Sequence, residues 1–119
     1  MRVLAVEDDP EFREFLSFHL SSQGGIEIEV AATGEEALAA LSERAPDVLV
    51  VDVNMSEMGG EELARRARER HPAIKVVSFS GSGGDTPWAD QTIVKGGRES
   101  LTQLVEAIRA LAEEPARDR

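Results

Sequence analysis

Six polar residues stand at the ends of short apolar runs, and their types suit cation binding and phosphoryl chemistry. They are Glu7, Asp8, Asp9, Asp52, Ser80 and Lys95. Crowded carboxylates repel one another, which raises their pKa values unless a cation lies among them. An aspartate can also act as a nucleophile and carry a phosphoryl group as an acyl phosphate. The residue types therefore predict a cation site beside a phosphoryl acceptor.

The donor set indicates which cation to expect. The four acids and Ser80 offer oxygen atoms, and the chain contains no cysteine. Mg²⁺ fits best, because it binds one or two carboxylates and keeps several waters, and Mn²⁺ is expected to substitute for it. With Asp52 as the acceptor, the metal and the Lys95 ammonium would neutralise charge on the transferred oxygens.

The apolar pattern predicts the elements that position these residues. It indicates strands at residues 2–6, 26–30, 48–53, 74–79 and 92–94, and helices at residues 10–22, 33–44, 61–70 and about 98–113. Alternating strands and helices are typical of an α/β fold with a doubly wound parallel sheet. Ligands of such sheets gather outside the carboxyl ends of the strands, so the polar residues are expected at one rim.

Four segments carry additional information. Residues 48–53 are apolar on both faces apart from Asp52, which is typical of a central strand. Residues 26–30 alternate between apolar residues and glutamates, which favours an edge strand. Residues 80–91 are rich in glycine and are predicted to be mostly loop. The third helix is expected to carry two ion pairs at i,i+4 spacing, Glu61 with Arg65 and Glu62 with Arg66.

Length and composition limit the class of protein. A chain of 119 residues is one domain, predicted to span residues 1–113 with a disordered tail at residues 114–119. The formal net charge of −10 argues against binding to nucleic acid or to anionic membranes. The absence of cysteine excludes disulfide scaffolds and thiol nucleophiles. The first apolar run is too short for a signal peptide, so a cytoplasmic location is expected.

Four motifs that follow one another along the chain suggest a family. They are VLAVEDDP, DVLVVDVNMSEMGGEEL, VVSFSG and TIVK. Together they resemble the receiver domain of bacterial two-component response regulators over nearly the whole chain. The resemblance implies a flavodoxin-like sheet of five strands in the order 2-1-3-4-5, with helices on both faces.

The resemblance also implies a metal site. Glu7 and Asp8 match the family's acid pair, with Asp8 favoured for direct contact with Mg²⁺. Asp52 would share the metal, and Asn54 would offer its backbone carbonyl. An Asp8–Asp9 pair is disfavoured, because Asp9 precedes a proline that suits the first turn of a helix.

The roles implied around the phosphoryl group fall on three residues. Asp52 would be the phosphorylation site, Lys95 would pair with the phosphate, and Ser80 would donate a hydrogen bond to a phosphoryl oxygen. Such a domain catalyses its own phosphorylation and dephosphorylation.

The resemblance implies partners as well. A histidine kinase or phosphotransferase would donate the phosphoryl group, and a downstream protein would read the changed surface. The start of the first helix would dock the donor, which makes Glu11, Phe12 and Phe15 candidates for partner contact. Core packing is the alternative role for the two phenylalanines.

Several positions depart from the family pattern. The segment between Ser80 and Lys95 is short, so the fourth helix is expected to be short or missing. Ser56 and Gly96 stand where the family usually has prolines. The proline that Gly96 replaces usually follows the lysine through a cis bond. Thr92 stands where many receivers carry an aromatic switch residue.

These departures keep a second function open, a receiver-like module that binds its partner without phosphorylation. A third class is a small phosphohydrolase with Asp52 as nucleophile. An enzyme of the haloacid dehalogenase type would need a second acid at position 54, where this chain has Asn54.

Overall fold

The computed structural model describes residues 1–53, 58–81, 86–96 and 99–114. The strands are β1 (Arg2–Val6), β2 (Glu27–Ala31), β3 (Val48–Asp52), β4 (Lys75–Ser80) and β5 (Gln91–Val94). The helices are α1 (Pro10–Ser21), α2 (Gly34–Glu43), α3 (Gly60–Arg70) and α4 (Ser100–Glu113). Each end agrees with the sequence prediction to within one residue, except the predicted start of the last helix at Arg98, which lies outside the described residues.

The five strands form one parallel sheet in the order β2-β1-β3-β4-β5. Every residue of β3 is buried, whereas Glu27 and Glu29 on β2 are exposed. The predicted sheet order, the central position of β3 and the edge position of β2 are therefore confirmed. A strand buried on both faces must be apolar throughout, which makes an aspartate at its end conspicuous.

Two apolar layers cover the two faces of the sheet. Val3 and Ala5 of β1 point into the layer shared with α1 and α4, which includes Leu16 and Ile108. The alternate residues of β1 point into the layer shared with α2 and α3. This alternation follows from the two-residue period of a strand. It fixes which helices lie above each strand end, and α1 is the one beside the end of β1.

Capping side chains determine where the helices on either side of β2 begin. The Asp9 carboxylate accepts a hydrogen bond from the Glu11 backbone N–H at 3.1 Å, and Pro10 occupies the first turn. Thr33 Oγ1 accepts a bond from the Glu36 backbone N–H at 3.1 Å in the same way. Because Asp9 caps α1, Glu7 and Asp8 are the acids left to act together at the end of β1.

The exposed face of α3 carries ion pairs, but one of the predicted pairs is wrong. Arg66 pairs with Glu62 at 2.6 Å, as expected. Arg65 instead reaches Glu69 at 2.9 Å and Glu62 at 4.0 Å. Arg65 has acids one turn away in both directions, and its side chain adopts the rotamer that reaches the following turn rather than Glu61.

The connection between β4 and β5 is not helical at residues 81 and 86–90, while residues 82–85 lie outside the described part of the chain. Ser78 Oγ and Thr86 Oγ1 lie 2.7 Å apart, and Ser78 Oγ donates to Thr92 Oγ1 at 3.2 Å. Thr86 and Thr92 also form a hydrogen bond. We call these three residues the hydroxyl cluster. It ties Thr86 of the connection to β4 and to the edge strand β5.

A second set of contacts ties the same connection to α3. Arg68 donates to the Trp88 carbonyl and pairs with Asp90 Oδ2 at 3.2 Å. Asp90 Oδ2 also accepts from the Val76 backbone N–H at 2.8 Å. The Trp88 side chain is partly buried against the layer below α3. Trp88 therefore covers part of the core.

None of the helices in the described ranges has the length and hydrophobicity that crossing a membrane requires. Residues 115–119, most of the predicted tail, lie outside these ranges.

Candidate functional site

The carboxyl ends of three strands bring the predicted residues to one rim of the sheet. Val6 on β1 is paired with Val51 on β3, so Glu7 and Asp52 follow at the same level of neighbouring strands. Lys95 follows β5, where its backbone N–H donates to the Ser80 carbonyl at 2.9 Å. The parallel sheet therefore places acids from the first half of the chain beside a lysine from the second half.

The Lys95 ammonium bridges two buried carboxylates. Its Nζ donates to Glu7 Oε1 at 2.8 Å and to Asp52 Oδ2 at 3.2 Å. Glu7 is 2% exposed and Asp52 is 7% exposed. A buried carboxylate without a partner is costly, so the ammonium compensates for the burial of both acids.

Burial and charge act against each other on the pKa values of this group. Burial raises the pKa of Glu7, as does the nearby Asp52, whereas the hydrogen bond from Lys95 lowers it, and the net direction is upward. Burial lowers the pKa of Lys95, but its hydrogen bonds and charge interactions with Glu7 and Asp52 outweigh this, so the Lys95 pKa is raised. Lys95 is therefore a firmly charged ammonium between the two acids.

Backbone groups and Arg13 hold Glu7 in place. The Asp9 backbone N–H donates to Glu7 Oε2 at 3.1 Å, and Arg13 Nη1 donates to the Glu7 carbonyl at 3.0 Å. One carboxylate oxygen thus faces α1 and the other faces Lys95. The role of Arg13 was not predicted, although an arginine one turn into the helix after an acid pair is a signal for such a contact.

Three carboxylates are close enough to share a cation. One oxygen each of Glu7, Asp8 and Asp52 lies within 4.8 Å of the other two. Asp8 is the most accessible of the three. Three carboxylates against one ammonium leave an excess of negative charge, and an all-oxygen donor set suits Mg²⁺. The residues present therefore fit the metal expected from the sequence, while Asn54 lies outside the described residues.

Two aromatic rings lie beside the ammonium, and neither was predicted there. Lys95 Nζ is 4.6 Å from the centroid of the Phe12 ring and 5.7 Å from that of Phe79. The two rings are themselves 5.8 Å apart. The sequence signal was the position of Phe12 in the first turn of α1, next to the rim. Phe12 also packs against the core, in line with the alternative to partner contact.

The remaining predicted site residues lie nearby. Ser80 ends β4 and is 2% exposed. Glu11 is exposed at the start of α1, and the Phe15 side chain one turn later is 51% exposed. Phe15 is therefore free to meet a partner.

The structure also locates two of the departures from the family pattern. Gly96 has a positive φ of 105°, a conformation that suits glycine, and no cis peptide bond occurs in the described ranges. Lys95 is thus followed by a left-handed turn. Thr92 stands where many receivers carry an aromatic switch residue. Here its hydroxyl makes hydrogen bonds in the hydroxyl cluster.

Comparison with known proteins assigns the fold to a family. Residues 3–112 match the family model of the response regulator receiver domain. A protein-glutamate methylesterase/protein-glutamine glutaminase of Hahella chejuensis is 41% identical over 98 residues, covering 81% of this chain and 28% of that protein. The transcriptional regulatory protein TrcR of Mycobacterium tuberculosis is 39% identical over 118 residues, covering 93% of this chain and 45% of TrcR. This chain thus spans less than half the length of either relative.

Solved structures give the same assignment. The response regulator TrrA of Thermotoga maritima, in complex with Mg²⁺ and BeF, superposes with a TM-score of 0.80 at 30% identity, covering 92% of this chain and 97% of TrrA. A CheY-like receiver of Methanospirillum hungatei gives a TM-score of 0.78 at 26% identity, covering 96% and 98%. Both the family match and the five-stranded parallel sheet place this chain in the response regulator receiver family of two-component systems.

Proposed function

We propose that this receiver is a phosphorylation switch in which Asp52 accepts a phosphoryl group in a Mg²⁺-dependent reaction. The observation that carries the proposal is the position of Lys95, whose Nζ contacts both Asp52 and Glu7 beside the accessible Asp8. A lone buried acid could be structural, but three acids around one ammonium at a strand rim form a charged site with an open side.

Glu7, Asp8 and Asp52 are the side chains that would hold the metal, with Asn54 proposed to add its backbone carbonyl. When bound, Mg²⁺ supplies positive charge that offsets the charge on the phosphoryl oxygens. Asp8 is the best candidate for direct contact, because it is more accessible than the other two acids. Glu7 has one oxygen bonded to Lys95 and the other to backbone, so it acts by holding the ammonium and adding negative charge.

The proposed transfer is a displacement at phosphorus. An Asp52 carboxylate oxygen attacks, a P–O bond forms, and the bond from phosphorus to the donor breaks. The bonding pair leaves with the donor, which is acetate from acetyl phosphate or an imidazole nitrogen from phosphohistidine. The product is an acyl phosphate on Asp52. In dephosphorylation, water attacks the same phosphorus and the aspartate carboxylate leaves, releasing inorganic phosphate.

Lys95 and Ser80 stabilise the product in this proposal. The Lys95 ammonium already lies 3.2 Å from Asp52 Oδ2, so it can pair with a phosphoryl oxygen after a small movement. Ser80 follows Phe79, which is the sheet partner of Asp52, and its hydroxyl is proposed to donate to another phosphoryl oxygen. Movement of Lys95 and Ser80 toward the phosphate would favour a different surface near β4 and β5.

The donor is proposed to be a histidine kinase or phosphotransferase in the cytoplasm, and the output a protein–protein contact. Receiver family membership supports both partners in general terms. Glu11 and Phe15 are exposed on α1 next to the rim, so they are the proposed contacts for the donor. The net charge of −10 disfavours direct contact with nucleic acid.

The test is intact-mass analysis after incubation with acetyl phosphate, in Mg²⁺ and in EDTA, for the wild type and Asp52→Asn. We expect a gain of one phosphoryl group in Mg²⁺, lost in EDTA and lost in the variant. Circular dichroism would establish that the variant is folded. A gain that persists in Asp52→Asn would contradict the assignment of Asp52.

A second function is favoured by the β4–β5 connection. The hydroxyl cluster and Arg68 hold residues 86–90 against the sheet and α3, so this part of the surface is built before any phosphorylation. Such a surface could bind a partner constitutively. Failure of the folded wild type to gain a phosphoryl group would favour this receiver-like module over the switch.

A further inference from the structure

The Lys95 side chain has to cross a whole strand to reach the site. β5 lies at the edge of the sheet, and β4 separates it from β3, which carries Asp52. Neighbouring strands are about 4.8 Å apart, so the four methylene groups of the lysine must be nearly extended over the end of β4. Holding a long, flexible side chain in one conformation costs rotamer entropy.

The backbone at Lys95 provides little of this restraint. Three of the four residues of β5 are exposed, and Lys95 makes its backbone bond to Ser80 just before the chain turns at Gly96. A Cβ added at Gly96 would meet no atom of the described residues within 4 Å, so nothing packs on that side of the turn. The conformation of the side chain therefore depends mainly on what surrounds its methylene groups and its ammonium.

Phe12 and Phe79 supply that surrounding. Their ring centroids lie 4.6 and 5.7 Å from Lys95 Nζ, within the range at which an ammonium is attracted to the negative face of an aromatic ring. Phe79 is 1% exposed within β4 and cannot move far. Phe12 reaches the ammonium from α1, whose start is fixed by the Asp9 cap and whose inner face is anchored by Leu16.

We propose that Phe12 is a positioning residue for phosphoryl transfer, whose ring holds the Lys95 ammonium at Asp52. This inference rests on the proposed function, because it assigns Phe12 a role in the same reaction. The two carboxylates attract the ammonium from the rim, and the rings limit its movement from the side of α1. Phe12 itself does not contact the reacting atoms.

A purely structural role for Phe12 predicts different behaviour from a positioning role. If Phe12 only fills space, leucine replaces it well, because the position is partly buried and leucine is apolar. If the face of the ring attracts the ammonium, leucine fails and tyrosine succeeds, because tyrosine keeps the ring face. Phe12→Leu and Phe12→Tyr are therefore the informative pair, and Phe18→Leu is the matched control, since Phe18 lies on the same helix and is 75% exposed.

The first readout is the rate of phosphorylation by acetyl phosphate at saturating Mg²⁺. We expect Phe12→Leu to slow it about fivefold, which corresponds to about 1 kcal/mol, with Phe12→Tyr and Phe18→Leu close to the wild type. A rate in Phe12→Leu equal to that of the wild type, or equal losses in Phe12→Leu and Phe12→Tyr, would overturn the positioning role.

The second readout does not depend on phosphorylation. The chain has two lysines, Lys95 and Lys75, so lysine labelling gives two sets of Hε signals in a proton–carbon NMR spectrum. We expect ring currents to shift the Lys95 signal upfield in the wild type and in Phe12→Tyr, and Phe12→Leu to reduce this shift to the smaller contribution of the more distant Phe79 ring. Lys75 begins β4 at the opposite end of the sheet and serves as the reference.

The two readouts separate the failure of this inference from the failure of the proposed function. A Lys95 signal that does not change in Phe12→Leu would overturn the contact itself, whatever the rates. If the wild type gains no phosphoryl group, the switch is wrong and Phe12 loses its role in transfer, while the NMR spectrum still decides whether its ring holds Lys95.

Discussion

The rim formed by Glu7, Asp8 and Asp52 and the connection between β4 and β5 are built from different chemistry. The rim consists of acids held by one ammonium, with excess negative charge and an open side. The described residues 86–90 of the connection are held by the neutral hydroxyl cluster and by the Arg68–Asp90 pair, whose hydrogen bonds are made within the protein. The rim is thus suited to receive a ligand and the connection to stay in place.

This difference has a consequence for variants. Substitutions in the rim should change phosphorylation, because they alter charge where the phosphoryl group arrives. Substitutions in the connection should change the free energy of unfolding. They should leave the rate of phosphorylation by a small donor unchanged, because none of the three hydroxyls in the cluster has a proposed role in transfer.

Lys95→Met should have the largest effect on transfer. Removing an ammonium that neutralises charge on the phosphoryl oxygens should slow phosphorylation by acetyl phosphate about a hundredfold at saturating Mg²⁺. The rate is measured by intact-mass time courses. Lys75→Met is the matched control: this lysine is also buried, but its Nζ contacts the Leu111 carbonyl at the far end of the sheet. Similar rates for the two variants would refute a role for Lys95.

Asp8→Asn should weaken metal binding. The loss of one negative charge from the donor set should raise the Mg²⁺ concentration for half-maximal phosphorylation about tenfold. Asp9→Asn provides the control, because asparagine caps a helix as well as aspartate does. A Mg²⁺ requirement that rises in Asp9→Asn and not in Asp8→Asn would show that the acid pair lies one residue later in the chain.

Thr86→Val tests the connection. It removes a hydroxyl from the cluster at nearly constant volume, so the free energy of unfolding should fall by about 1 kcal/mol, as measured by urea denaturation. Thr102→Val, at an exposed position on α4, should change it much less. If Thr86→Val also slows phosphorylation by acetyl phosphate, the connection takes part in transfer and the separation of the two regions is wrong.

Arg65→Gln should have the smallest effect. Its pairs with Glu62 and Glu69 are exposed, so the loss should be about 0.3 kcal/mol and should disappear in high salt. Arg68→Gln on the same helix should cost more and should depend less on salt, because Arg68 is partly buried and bonded to the connection. Urea denaturation at low and high salt measures the free energy of unfolding of both variants. Equal losses in Arg65→Gln and Arg68→Gln would contradict the importance of the contacts that Arg68 makes with Trp88 and Asp90.

Much of the fold and the rim could be predicted from the sequence, because the signals there are local. An acid at the end of the apolar run at residues 48–53 indicates a buried strand that ends at a functional site. Asp9 before Pro10 indicates a helix cap. The order of strand ends along the rim then follows from the parallel sheet. These features depend on neighbouring residues and on the known geometry of α/β folds.

The rest could not be predicted, because it depends on side chains that meet only after folding. The rings beside Lys95 come from α1 and from β4, and no residue near Lys95 in the sequence indicates this contact. The partner of Arg68 lies 22 residues away in a segment without periodicity. Arg65 illustrates a smaller limit: spacing shows which acids are within reach, but rotamer preference decides which one is bonded.

The most direct test of the central proposal is to locate the phosphoryl group chemically. Borohydride reduces an acyl phosphate on aspartate to homoserine, so phosphorylated protein is reduced, digested with trypsin and sequenced by mass spectrometry. We expect homoserine at position 52, within the peptide that spans residues 45–65, and only after phosphorylation in Mg²⁺. Homoserine at Asp47 in that peptide, or at Asp8 or Asp9 in the peptide that spans residues 3–13, would contradict the assignment of Asp52 as the acceptor.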